Sequence, residues 1–342
     1  TRYAEIVVDC AKARRVREVC LSMAERCEDA SVSGVELEAE LIEQADATLR
    51  TGSSMGFRPI SDIVRELSYK IGRQCKRQAF PTGFSIVDDH LDGGLRPGTM
   101  AVIAGWPGMG KTTLALGILS HQSPNTTTAI TSLEMTPEDL VGTLVGQRTS
   151  IAVRRVRQAI GRTGVLRPQE EAEVDLGCAY WYERRWWIGA PDDTDVDRLI
   201  AQARAIHLRS GLHLWLVDHC QELTSETHAH HGKAHELDYC VRRLGQFARS
   251  TGTCVILLSQ CRKRATSSKA PPSLHDLKET GSLQEVPSAI LLLHRECSED
   301  GLEETITLEL AKNRFGPRGS IRLYFDERKQ TFCHLETKRS EK

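Results

Sequence analysis

The run Gly105-Trp106-Pro107-Gly108-Met109-Gly110-Lys111-Thr112 fits the pattern G-x-x-x-x-G-K-[ST], and the apolar stretch Met100-Ala101-Val102-Ile103-Ala104 leads directly into it. Leu114-Ala115-Leu116-Gly117-Ile118-Leu119 follows as a helix former. Strand, glycine loop and helix in that order restrict the chain to an α/β architecture around a phosphate-binding turn. The glycines leave room for backbone N–H groups to wrap a phosphate, and the helix adds its positive N-terminal end. Such a loop takes a nucleoside triphosphate, ATP or GTP. Lys111 is placed to reach the β- and γ-phosphates, and the Thr112 hydroxyl to ligate Mg²⁺. Gly105, Pro107, Gly108, Met109, Gly110 and Thr113 complete the expected nucleotide-binding set.

At 342 residues there is room for one large α/β domain and an appendage. A formal net charge of -1 excludes a global basic field, so contacts to nucleic acid must come from local patches. Eleven cysteines occur without a C-x-x-C pair, which reads as structural cysteine in a reducing compartment. No apolar stretch approaches the roughly 20 residues that cross a bilayer, so a soluble, cytoplasmic protein is expected. Thr1 opens directly in a helical pattern without an initiator Met, which suggests a start inside a longer chain.

Residues 3 to 28 and 33 to 49 space their apolar side chains as two helices, a hairpin whose second helix has a capping box at Ser33 and Glu36. Thr51-Gly52-Ser53-Ser54-Met55-Gly56 breaks the periodicity as a linker. A short amphipathic helix from Pro59 to about Cys75 then carries Ile60, Ile63, Val64, Leu67 and Ile71 on one stripe. From Phe80 onward short apolar strands alternate with helices, the signature of a parallel sheet covered on both faces. After His294 consecutive strands at Thr305–Ala311, Ser320–Phe325 and Thr331–His334 predict an antiparallel extension. The expected domains are therefore a helical hairpin at 1–50, a linker with a docking helix at 51–80, and an ATPase domain at 81–342.

Leu214-Trp215-Leu216-Val217-Asp218 ends a buried strand in a carboxylate, the place for a second Mg²⁺ ligand. Glu134, after the strand Ala129 to Leu133, is the candidate base for an attacking water. Gln260 closes the strand Val255 to Ser259, where an amide can contact the γ-phosphate. The loop beyond carries Arg262, Lys263, Arg264 and Lys269, a basic set suited to nucleic-acid phosphates. His228, His230, His231 and His235 lie in a polar loop without cysteines or regular spacing, so a metal site is not expected there.

Taken together these motifs resemble the replicative hexameric helicases of the DnaB family, with a RecA-like ATPase core. Ser132-Leu133-Glu134-Met135 resembles its S-L-E-M signature, Leu258-Ser259-Gln260 its L-S-Q, Asp276 to Gln284 its D-L-R-E-S-G-S-I-E, and Lys312-Asn313-Arg314-Phe315-Gly316-Pro317 its K-x-R-x-G-P. The resemblance implies that Glu134 activates water, Asp218 holds Mg²⁺ and Gln260 senses the nucleotide. It implies that Lys312 and Arg314 reach the γ-phosphate bound by the adjacent subunit, and that Lys278, Glu279 and Gly281 belong to a channel loop holding single-stranded DNA. A hexameric ring, 5′ to 3′ movement, and primase and loader partners at the replication fork follow from the same resemblance. So does a collar origin for the hairpin. His219 replaces the family's Tyr, Lys278 its Arg, and Val286-Pro287-Ser288 its acidic D-A-D, departures that suit a phage, plasmid or organellar member. The last of these keeps a rival reading open, a DNA-dependent ATPase that remodels DNA or partners without processive unwinding.

Overall fold

The computed structural model describes residues 2–27, positions 34, 37, 40, 41 and 44, and residues 60–72, 78–161, 164–261, 271–277, 281–297 and 304–334. The chain separates into two compact units, Thr1–Gln78 and Ala79–Lys342. In the first, α1 (Arg2–Cys27) and α2 (Ile60–Gly72) are helices. Arg26 of α1 pairs with Glu40 at 3.2 Å, and positions 37, 40, 41 and 44 are helical. Ile60, Ile63 and Val64 of α2 are exposed, an apolar stripe left in water. Most of the hairpin's second helix, its Ser33 and Glu36 box, and the Thr51 to Gly56 linker lie outside the described residues.

The second unit runs α3 (Ser85–His90), β1 (Met100–Gly105), α4 (Lys111–Ser120), β2 (Thr128–Ser132), α5 (Pro137–Gly146), α6 (Val153–Ile160), α7 (Pro168–Tyr182), β3 (Trp186–Gly189) and α8 (Val196–Ser210). It continues with β4 (Leu214–Asp218), α9 (Lys233–Thr251), β5 (Cys254–Gln260), the single turn α10 (Ser282–Glu285), β6 (Ala289–Cys297), β7 (Glu304–Asn313), β8 (Gly319–Asp326) and β9 (Thr331–His334). The strands form one sheet in the order β3-β2-β4-β5-β1-β6-β7-β8-β9. Strands β3 to β6 pair in parallel and β6 to β9 antiparallel, the expected mainly parallel sheet with an antiparallel extension.

Two apolar layers explain the sequence pattern. Every residue of β1 is buried, so the strand reads as a continuous apolar run rather than an alternating one. Ala101 and Ile103 pack with Leu114, Leu116 and Ile118 of α4, whereas Met100, Val102 and Ala104 pack with Leu199 of α8 and Leu237 and Leu244 of α9. Trp215 anchors the second layer, edge-on to Phe247 at 5.1 Å with its indole N–H donating to the Thr131 hydroxyl at 2.9 Å. Trp215→Ala removes both contacts and leaves a cavity. It is expected to cost about 3–5 kcal/mol, read as a lowered urea midpoint.

Pro287 fits the sheet without loss. The ladder begins one residue later, where the Ser288 N–H donates to the Met100 carbonyl at 2.8 Å and the Ser288 carbonyl accepts from the Arg314 N–H at 2.8 Å. A bulge shifts the register at Ile290 and Leu291, so Ile290 faces Lys312 and Leu291 faces Leu310. Ala311 is the extra residue, and such bulges re-aim the neighbouring side chains.

Candidate functional site

Four parallel strands end at one cavity of about 270 Å³, lined by Pro107, Gly108, Gly110, Lys111, Thr112, Thr113, Glu134, Asp218, His219, Leu258, Ser259 and Gln260. The position is the carboxyl edge of the sheet, where strand order switches around β1. Backbone geometry dictates the loop glycines. A Cβ at Gly105 would meet the Leu293 carbonyl oxygen at 2.6 Å, and Gly108 and Gly110 have φ of +77° and +89°. The Leu114 N–H donates to the Gly110 carbonyl at 2.8 Å, so α4 starts on the last loop glycine. Met109 packs against the apolar layer beneath the loop. Gly105→Ala is expected to displace the loop from β6 and weaken ATP-analogue binding at least tenfold by calorimetry, a loss of about 1.4 kcal/mol.

The charged groups are held ready for an anion and a cation. The Lys111 ammonium donates to the carbonyls of Gly105 at 3.2 Å and Trp106 at 3.1 Å, folded onto its own loop. Burial pulls its pKa below the ordinary value, against the negative charges around it, which include Asp218 and Glu134. Burial pushes the Asp218 carboxyl up, and Glu134 adds to that. The Thr112 hydroxyl donates to Asp218 Oδ2 at 2.9 Å, which places two hard oxygen ligands side by side. A hydroxyl and a buried carboxylate in contact fit Mg²⁺. The Glu134 carboxylate lies 3.6 Å from His219 Nδ1.

Gln221 joins the site from outside the motifs that carry its chemistry. Its side-chain amide donates to the Ser259 hydroxyl at 3.1 Å and the Gln260 carbonyl at 3.2 Å, and its oxygen accepts from the Gln260 N–H at 3.3 Å. It thereby latches the end of β4 to the end of β5. Spacing gave no signal for this, because the two partners are distant in sequence.

Lys312 and Arg314 stand elsewhere. Lys312 donates to the Gln284 and Glu285 carbonyls, and Arg314 to the Glu285 carbonyl at 3.0 Å, so both cap the end of α10. Burial, with Arg314 alongside, lowers the Lys312 pKa. Through Ser288, Arg314 is level with Met100 at the start of β1, whereas the phosphate loop leaves from Gly105 at its end. At about 3.3 Å per residue that separation is about 16 Å along the sheet. Gly281, just before α10, is exposed. Arg262, Arg264, Lys278 and Glu279 lie outside the described residues. Among the described residues no cluster forms a metal site of His, Cys, Asp and Glu, and His228 stacks on Tyr239 at 3.9 Å. No described helix is long and apolar enough to cross a membrane.

The family model described as DnaB-like helicase C terminal domain matches residues 79–334. The replicative DNA helicase DnaB of Geobacillus stearothermophilus is 25% identical over 348 residues, covering 98% of this chain and 74% of that protein. Its counterpart in Pasteurella multocida is 28% identical over 361 residues, with the same coverage of 98% and 74%. A solved DnaB-like replicative helicase, described with its primase interactions, superposes at a TM-score of 0.75 and 20% identity, covering 98% of this chain and 78% of that one. A solved ATPase domain gives a TM-score of 0.74 at 23% identity over 82% of this chain and all of its own. The sheet is thus the RecA-like core of such helicases, and the chain belongs to the DnaB-like helicase family through its C-terminal domain.

Proposed function

We propose that the chain is an ATP-driven replicative DNA helicase that works as a homo-oligomeric ring, in the family's case a hexamer, moving 5′ to 3′ on single-stranded DNA and unwinding duplex at a replication fork. The observation that carries the ring reading is the separation of two sets of residues. Lys111, Thr112, Glu134, Asp218 and Gln260 converge on one cavity, while Lys312 and Arg314 sit at the opposite ends of the strands. Cations so far from their own cavity can serve a phosphate only in another copy of the chain. A cation inserted from a neighbour stabilises transition-state charge and ties hydrolysis to subunit movement.

Within one cavity the roles divide by chemistry. Lys111 gives up its loop carbonyls to meet the β- and γ-phosphates. Glu134 orients and deprotonates water in line with the γ-phosphate, and Gln260, held by Gln221, touches the same phosphate and passes its presence to the basic loop of Arg262 and Arg264. Thr112 and Asp218 hold Mg²⁺, which when bound neutralises charge on the phosphates. Lys278, Glu279 and Gly281 hold the DNA backbone, a mode of contact without sequence preference that suits a translocating motor. Residues 1–50 form part of a collar and 51–80 a docking linker, with primase and a loader as partners at the cytoplasmic fork.

The test is ATP turnover with and without single-stranded DNA, followed by strand displacement on a forked duplex. Stimulated turnover with displacement supports the reading. Stimulated turnover without displacement would favour a remodelling ATPase, whose motivating departure, Val286 to Ser288, the sheet accommodates.

A further inference from the structure

Asp218 and His219 are sequence neighbours, yet both line the same cavity. In an extended strand successive side chains point to opposite faces, so a regular β4 would send His219 away from Asp218. It does not, because His219 has a φ of +69°. A non-glycine residue stays in that left-handed region only where its surroundings hold it there, and such residues gather at functional sites. The surroundings are visible. The Glu222 N–H donates to the His219 carbonyl at 3.1 Å, Cys220 is fully buried, and Gln221 is latched to β5. The turn therefore aims the imidazole into the cavity, where its Nδ1 lies 3.6 Å from Glu134 Oε2.

Glu134 needs such a neighbour. Its side chain is 59% exposed, against 18% for His219, on a bend just beyond β2. A glutamate left to itself samples several rotamers, and an attacking water must be held in one geometry. We infer that His219 is a positioning residue for Glu134, its imidazole confining the carboxylate to the mouth of the γ-phosphate cavity. The assignment is particular to this chain, since the family motif has tyrosine there, and it rests on the reading of Glu134 as the group that activates water.

Two substitutions separate positioning from backbone shape. His219→Gly relieves the left-handed backbone and deletes the imidazole, while His219→Asn keeps a side chain at home in that region and restores an N–H donor. ATP turnover of both is measured in the full chain with single-stranded DNA, beside Glu134→Gln and the double variant His219→Gly/Glu134→Gln. His219→Gly is expected to lower kcat about ten- to a hundredfold, with KM for ATP and affinity for a non-hydrolysable analogue within about twofold. His219→Asn should recover part of the loss, and the double variant should lose nothing beyond Glu134→Gln alone. If His219→Gly turns over like wild type while Glu134→Gln is inactive, positioning fails and the role of Glu134 stands. If Glu134→Gln turns over normally, the role of Glu134 itself fails. If analogue affinity and KM move together with kcat, His219 only shapes the site and the proposal is overturned.

Discussion

Arg314→Ala is expected to lower ATP turnover by about a thousandfold while leaving the affinity of a non-hydrolysable ATP analogue nearly unchanged, the pattern of a cation that acts only on the transition state. Its position makes a stronger test possible. Arg314 is bonded through its backbone to Ser288, level with the start of β1, and the cavity opens at the far end of that strand. In a ring assembled from equal amounts of Arg314→Ala and Glu134→Gln subunits, an Arg314→Ala subunit keeps its own Glu134 and can borrow an intact Arg314. Random assembly gives roughly a quarter of the sites both groups, so mixing restores measurable turnover from two inactive parents. A finger acting within its own subunit would give no recovery at all. The contact of Arg314 with the Glu285 carbonyl must open for this to happen, and α10 follows directly on the candidate DNA loop.

Asp218→Asn is the second large effect. The Thr112 hydroxyl and the Asp218 carboxylate are 2.9 Å apart, and the carboxylate is buried at the end of β4. Asparagine preserves the shape and removes the charge that a divalent cation requires. ATP turnover is expected to fall by about a thousandfold, equivalent to about 4 kcal/mol of transition-state stabilisation. Calorimetry of the ATP analogue supplies an independent readout. In wild type the affinity is expected to rise when Mg²⁺ is added, whereas in Asp218→Asn it should be the same with and without the cation. An undiminished Mg²⁺ effect in the variant would remove Asp218 from the metal site. Lys111 is a control for the phosphate contact alone, since its ammonium bonds the carbonyls of Gly105 and Trp106 rather than Asp218.

The central strands β1, β4 and β5 were legible because they are buried on both faces. Val102 and Ile103, neighbours on β1, belong to opposite layers, and a strand that feeds two layers has no room for polar residues, so it stands out as an apolar run between turns. The phosphate loop was legible for a different reason. Gly105, Gly108 and Gly110 meet steric demands that no other residue satisfies, and those demands leave a spaced pattern in the chain. Asp218 and Gln260 could be placed at strand ends, and their convergence then followed from strand order. Gln221 and His219 had no such signal. One acts across a gap to β5 and the other through a backbone angle, and neither leaves periodicity.

The sequence by itself determined the α/β class, a mainly parallel sheet with an antiparallel extension, the phosphate-binding turn and the residue types available for chemistry, because burial and backbone sterics act locally and leave local patterns. Tertiary structure alone decided which of those residues meet. It joined Thr112 to Asp218, turned His219 toward Glu134, and put Lys312 and Arg314 on the end of α10, far from the cavity of their own chain. The reason is that strand order and register are cooperative choices of the whole sheet. Thr112 and Asp218, 106 positions apart, become neighbours only because β4 pairs between β2 and β5 in the sheet.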